Sequence, residues 1–234
     1  MTVSTSATLA DLVTQDARRA RILERHALDY CCNGQRSLAS AAADAGLDAE
    51  QIAAELDLPD APAATPTHPR ENSALAHDIV DTHHAYLWEE MPRLGELVDK
   101  VHRVHGDKHA ELTRVREAFH EAVADLEPHL TKEERVLFPA ISKLEKTDGP
   151  VTFSFGRLAN PIKAMLAEHD LVGDLFKEIR TLTDDYTPPE GTCGSYRAML
   201  NGLQEMENDL HVHIHKENNI LFPRVLELEA QRNA

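Results

Sequence analysis

The sequence predicts an all-α protein, an antiparallel four-helix bundle with a small helical N-terminal domain. Three observations lead there. From residue 71 onward apolar residues recur at alternating steps of three and four, the spacing of one buried helix face. Strand signals are absent. One stretch also appears twice: residues 129–139 read His-Leu-Thr-Lys-Glu-Glu-Arg-Val-Leu-Phe-Pro, and residues 213–223 read His-Ile-His-Lys-Glu-Asn-Asn-Ile-Leu-Phe-Pro. Each copy sets a His four residues before a Glu, so imidazole and carboxylate share a helix face.

Residues 1–58 are short-helical in pattern. Thr8 can cap a helix carrying Leu9, Leu12 and Val13, and Ala17, Ala20, Ile22 and Leu23 suggest another. Ser37 opens an Ala-rich helix that Gly46 can close, and Asp48 with Gln51 starts the next in the manner of a capping box. Between them Asp29-Tyr30-Cys31-Cys32-Asn33-Gly34-Gln35 is a turn by composition. The region holds few large apolar residues and would be marginal alone. Residues 59–70 contain four prolines and read as an exposed, semi-rigid linker to the bundle of residues 71–234. On that division the bundle should fold and hold its ligands without residues 1–58.

The first bundle stripe is His77, Val80, His84, Leu87, Met91, Leu94, Val98, Val101 and His105, with a kink expected at Pro92. The second is Leu112, Val115, Phe119, Ala122, Leu126, His129, Glu133, Val136 and Ala140, and Gly149-Pro150 breaks the chain after it. Asn160 is the expected cap of the third helix and Pro161 its first residue; its stripe is Ile162, Met165, His169, Val172, Phe176 and Ile179. The fourth is Leu203, Met206, Leu210, His213, Glu217, Ile220 and, past a step of five, Val225. His84 lies 45 residues before His129, and His169 lies 44 before His213, which reads as a repeated helical hairpin over 71–145 and 160–230.

Net charge is −16, so nucleic acid would be repelled. No apolar run approaches the roughly 18 residues of a membrane-spanning helix, and the first 20 residues lack the pattern of a signal peptide. A cytoplasmic protein without membrane contact is expected, and a homodimer is left open. Three cysteines cannot staple a chain of this size.

Each bundle helix carries a His in its stripe, His84, His129, His169 and His213, and two add Glu133 and Glu217. A lone His on such a stripe is more often a hydrogen-bonded core residue than a ligand. Four at matching positions, two with Glu four residues on, point to metal. An ionised Glu inside a bundle is very costly unless paired or bound to a cation, and bundle cores build metal sites from facing side chains. Six donors are too many for one tetrahedral zinc. They suit two ions, each with two His and a share of two bridging carboxylates, and the nitrogen-oxygen mix favours iron. His83 is placed beside the seam, His211 and His215 toward solvent or behind the ligands, and His105 in a capping or outer role. Asp125 and Glu168 are each either an orienting carboxylate or a solvated charge. Cys193 reads as incidental.

These residues resemble the hemerythrin-like di-iron proteins: two His-x-x-x-Glu helices ending in Leu-Phe-Pro, a His in each intervening helix, and Glu168-His169-Asp170. The Asp29-Tyr30-Cys31-Cys32 turn resembles the small N-terminal domain of one branch, the repair-of-iron-centres family. The resemblance implies an oxo- and carboxylate-bridged non-haem centre of two iron ions. It also implies partners among damaged iron–sulfur proteins, nitric oxide or oxygen species as small ligands, and a part for Cys31 and Cys32. Three functions stay open: a repair factor that supplies iron or removes nitric oxide, an enzyme consuming nitric oxide or peroxide, and a sensor of oxygen or nitric oxide. The vicinal thiols favour the first, since sensing needs no thiol pair.

Overall fold

The structure, a computed structural model, describes residues 3–59 and 68–233. Most of the expected linker, residues 60–67, lies outside the described residues. The N-terminal part comprises α1 (Leu9–Gln15), a 3-10 turn (Ala17–Arg19), α2 (Ala20–Arg25), α3 (Leu38–Asp44) and α4 (Ala49–Leu56). The expected caps form: Thr8 accepts from the Asp11 N–H, Ser37 from Ser40, and Asp48 from both Glu50 and Gln51. Gly46 closes α3 at φ +69°, in the left-handed region.

Four rods form the bundle. The first is α5 (Asn72–Ile79), a π turn (Val80–His84) and α6 (Ala85–His105). The second is α7 (Glu111–Lys132), a π turn (Glu133–Leu137) and α8 (Phe138–Lys146). The third is α9 (Ala159–Leu182) alone, and the fourth is α10 (Gly194–His215), a π turn (Lys216–Leu221) and α11 (Phe222–Arg232). Short connections alternate the rod directions, and α7 packs on α6 and α9 while α10 packs on α6 and α9. No described helix is long and apolar enough to cross a membrane.

The π turns correct the sequence reading. α6 runs through Pro92 as regular helix, and the departure from α geometry lies earlier, at Val80–His84. Each π turn adds a residue, so the apolar stripe shifts. Before His84 the buried positions are Leu75, Ala76 and Ile79, while His77 is exposed. After Glu133 they are Leu137, Phe138, Ile141 and Leu144 beside the expected Ala140, and Val136 is 46% exposed. The step of five from Ile220 to Val225 begins inside the third such turn and leaves it for α11. α9 starts at Ala159, and its preceding Leu158 N–H is accepted by the buried Glu229 of α11 rather than by Asn160. Pro161 still falls in the first turn, where its missing N–H costs nothing.

Two apolar cores fill the bundle. One joins Leu87, Leu94, Phe119, Leu126, Val172, Phe176, Leu203 and Leu210. The other joins Leu75, Ile79, Phe138, Ile141, Ile162, Met165, Ile220 and Phe222. On every rod the stripe His lies between them, so one polar layer crosses the bundle. The N-terminal part has its own core of Leu9, Leu12, Leu23, Leu38, Ile52 and Leu56, which closes on Ile214 of α10. Burying an isoleucine contributes about 1.5–3 kcal/mol. Polar contacts add to that docking: the Asn219 Nδ2 donates to the carbonyls of Tyr30 and Cys31, and Gln35 Nε2 donates to Asn219 Oδ1.

Candidate metal centre

The polar layer brings all six expected residues together. His84, Glu133, His213 and Glu217 form one group, and His129, Glu133, His169 and Glu217 form a second, with the donor atoms of each within 4.8 Å of one another. Both carboxylates belong to both groups. All six residues are at most 3% exposed, and the two glutamates are fully buried.

Distances are those of donors facing a shared space. Glu133 Oε2 lies 3.4 Å from His84 Nε2 and 3.3 Å from His129 Nε2. Glu217 Oε2 lies 3.1 Å from His169 Nε2, and its Oε1 lies 3.2 Å from His213 Nε2. Even so, all four carboxylate oxygens and the Nε2 atoms of His84 and His213 lack a hydrogen-bond partner among the described residues. Unpaired buried oxygens of this kind are heavily penalised.

Three of the four outer ring atoms are committed elsewhere, while the Nδ1 of His213 has no hydrogen-bond partner among the described residues. His84 Nδ1 donates to Glu134, which also accepts from Trp88 Nε1. His129 Nδ1 donates to Glu168 at 2.8 Å, and Lys132 holds the other Glu168 oxygen. His169 Nδ1 donates to Asn218 Oδ1 at 2.8 Å. With Nδ1 protonated, a neutral ring offers its Nε2 lone pair inward, and the Nε2 atoms of His129 and His169 face each other at 3.2 Å. Two lone pairs and two carboxylates converging in a dry layer call for positive charge.

The electrostatics show the same demand. Burial lowers the pKa of His129, but Glu133 and Glu168 outweigh it and push the ring up to about 10. His84 is raised likewise, burial being overcome by Glu133. Burial and the like charge of Glu217 push Glu133 up, yet His129 and His84 hold it below the usual carboxylate range. Glu217 is held well below it, burial being outweighed by His213 and His169. Protons on His84 and His129 here do what a cation would do. Glu168 drops to about 2, mainly through its bond from His129.

Other expected residues are sorted by the structure. His83 is buried, donates from Nδ1 to Asp209 and stacks flat on His213 at 5.4 Å, so it backs that ring rather than standing beside the seam. His215 is 1% exposed and packs edge-on against Tyr30, because the N-terminal part covers the face expected to meet solvent. His211 packs on Tyr30 as well. Asp125 is exposed on α7. His105 approaches Cys193 Sγ at 3.2 Å, at the end of α6 far from the centre.

The two cysteines of the expected turn are covered to different degrees. Cys31 is 5% exposed and belongs to the small domain's core; Cys32 is half-buried, its Sγ 3.8 Å from that of Cys31. The Asp29 carboxylate accepts the N–H groups of both cysteines and so satisfies the turn from within, which lets a polar sequence enclose a buried thiol. The hydrogen bond with Cys32, burial and the Asp29 charge together push the Cys31 thiol well above its ordinary pKa. Cys32 lines a cleft shared with Asp170, Gly173 and Lys177 of α9.

Sequence reasoning missed Glu134 and Asn218. Each directly follows the inward-facing Glu of its hairpin and holds the His of the preceding rod, His84 or His169. The repeat itself carried that signal: position 134 corresponds to position 218.

The donor set is that of a nitrogen-oxygen site for two non-haem iron ions. The chain matches the family described as Hemerythrin HHE cation binding domain over residues 75–225, and Domain of Unknown function (DUF542) over residues 5–59. It is 36% identical over 223 residues to the iron-sulfur cluster repair protein YtfE of Yersinia pseudotuberculosis serotype O:1b (strain IP 31758), covering 89% of this chain and 91% of that protein. The YtfE of Yersinia pestis (strain Pestoides F) is 35% identical over the same shares. With a buried layer of His and Glu, family matches to both parts of the chain and a likeness spanning nearly the whole length, the chain belongs to the hemerythrin HHE cation-binding family, in the branch of the iron-sulfur cluster repair proteins.

Proposed function

We propose that this chain is a di-iron protein of the cytoplasm that repairs iron–sulfur clusters damaged by nitrosative or oxidative stress, by supplying iron to the damaged partner. One observation carries the reading: two buried His2Glu2 groups share both carboxylates, whose four oxygens have no hydrogen-bond partner among the described residues. His84 and His213 would hold one ion, His129 and His169 the other, and Glu133 and Glu217 both. Iron bound there would supply a ferrous centre able to bind small oxygen and nitrogen species and to leave as cargo. The chain's residues set the conditions for that. Glu134, Glu168 and Asn218 fix the rings with Nε2 inward, and the flanking apolar cores exclude water. Oxygen and imidazole donors exchange metal more readily than a closed thiolate cage, which suits donation. The partner class is taken from the relatives' name, iron-sulfur cluster repair protein.

The test is anaerobic. The purified protein should bind two ferrous ions per chain, and incubation with an apo iron–sulfur protein should move iron to the acceptor. One tightly bound zinc, or no metal, would refute the metal reading. Two irons that stay in place while nitric oxide is consumed catalytically would favour an enzyme over a donor.

A further inference from the structure

The two hairpins are related by the repeat, and at one pair of equivalent positions they differ in kind. Glu134 follows Glu133; Asn218 follows Glu217. Both side chains accept a hydrogen bond from the Nδ1 of a histidine in the centre, His84 at 3.1 Å and His169 at 2.8 Å. A carboxylate only accepts, whereas an amide accepts through oxygen and donates through nitrogen. Asn218 uses both ends. Its Oδ1 holds His169, and its Nδ2 donates to the Cys31 carbonyl at 3.3 Å. The neighbouring Asn219 donates to the same carbonyl at 2.9 Å. Among the described residues the first hairpin has no equivalent link, since Glu134 is shared there only with Trp88 of its own neighbouring rod.

We infer that Asn218 is a positioning residue through which the docked cysteine turn sets how firmly His169 is held, so that retention of the iron at His129 and His169 depends on the N-terminal domain being seated. The inference rests on the di-iron reading above. The asymmetry follows from it: among the described residues the ion at His84 and His213 has no such link to the small domain.

Three further contacts make the turn a seat rather than a chance neighbour. Gly34 lies so close that a Cβ on it would meet the Tyr30 carbonyl oxygen at 2.3 Å and Asn219 Oδ1 at 2.9 Å. Tyr30 packs between His211 and His215. The His215 Nε2 and Thr14 Oγ1 are 3.3 Å apart. Asn218 and Asn219 both stand in the π turn that carries Glu217, so the small domain grips the segment of the fourth rod nearest the centre. Outer partners of metal-bound histidines typically change metal affinity by about 10–100-fold when removed.

The experiment follows iron release to a colorimetric ferrous chelator under argon, using full-length protein loaded with two ferrous ions per chain. In parallel a thiol reagent reports how well Cys31 is covered, and circular dichroism reports folding. In Asn218→Ala one of the two irons should leave about 10–100-fold faster, the other at the wild-type rate. Asn219→Ala keeps the bond from His169 to Asn218 but loosens the seat, so Cys31 labelling should rise and the same single iron should leave faster. Unchanged release in Asn218→Ala would overturn the positioning role. Faster labelling with unchanged release in Asn219→Ala would overturn the link to the small domain. A wild-type protein that takes up fewer than two ions fails before any variant is compared, and overturns the di-iron reading and this inference with it.

Discussion

Replacing Glu217 with Leu should make the metal-free protein more stable and deaf to iron. Glu217 is fully buried, and neither of its oxygens has a hydrogen-bond partner among the described residues. The nearest groups that can balance its charge are the Nε2 atoms of His169 and His213, at 3.1 and 3.2 Å. Burial drives the second of these toward its neutral form. Leucine has a similar volume and meets Ile220 and Leu210 in the adjoining cores. Exchanging buried ionic partners for well-packed apolar groups is neutral to stabilising by about 1–4 kcal/mol, and the usual cost of removing one partner alone is a stranded buried charge; here the partners are imidazoles, which can shed their protons at neutral pH and strand none. In a chain of this size each kcal/mol shifts Tm by about 2–4 °C, so a gain near 2 kcal/mol is a rise of roughly 4–8 °C. Iron should act the other way on the two proteins. At free iron 100-fold above Kd the wild type gains about 2.7 kcal/mol for each of its two ions, about 5.4 kcal/mol together, while the variant, lacking a donor common to both groups, gains nothing. Anaerobic thermal denaturation with chelator and with ferrous iron, plus iron content after desalting, reads both effects. A variant that melts below the metal-free wild type, or keeps two irons, would refute the reasoning.

Cys31→Ala/Cys32→Ala should leave iron content unchanged, because the link to the centre runs through the Cys31 backbone, but should impair repair in an assay with a damaged cluster protein. In the native wild type Cys31, buried and with a raised pKa, should react with a thiol reagent at least about tenfold slower than the exposed Cys193; equal rates would show that the seat is open. Gly34→Ala should cost about 1–3 kcal/mol in urea denaturation, since its Cβ would press on a backbone oxygen. Glu145→Gln should cost up to about 1 kcal/mol at pH 7, because the carboxylate caps α5 at the N–H groups of Asn72 and Ser73. Burial pushes the Glu145 pKa up, but Ser73 and Asn72 more than offset this and hold it below the ordinary value. The unfolded chain then takes up the proton first, so the contribution is present above about pH 4.3 and fades as pH falls below it. A gap between wild type and Glu145→Gln that persists at pH 3 would contradict this.

The bundle and its six inward donors were legible because both follow from helical spacing. Leu87, Met91, Leu94, Val98 and Val101 form one buried seam, as do Val115, Phe119 and Ala122, and the four histidines continue those seams. Register beyond the centre was not legible, since a steady three-four step places His77 and Val136 inside when each π turn has moved the stripe. The N-terminus of α9 was misplaced because its acceptor, Glu229, comes from the other end of the sequence. The burial of His215 and Cys31 could not be settled, because a polar neighbourhood in sequence says nothing of a second domain closing over it. Asn218 was overlooked for the same reason: its role is fixed by one contact across the bundle and one across the domain boundary.

The π turns bear on how this family can change. Each adds one residue to a rod, at His84, at Glu133 and beside Glu217. An α-helix turns about 100° per residue, so removing that residue would restore regular hydrogen bonding and swing everything beyond it by about that angle. The whole outer core of Leu75, Phe138, Ile141, Ile220 and Phe222 would then face the wrong way. A lineage can therefore exchange side chains around the centre one at a time, but it cannot lengthen or shorten these three segments by a single residue without rebuilding one end of the bundle. Among homologues, substitutions should accumulate near the ligands while gaps in those segments stay absent, and chain length there becomes as much a mark of the site as the histidines.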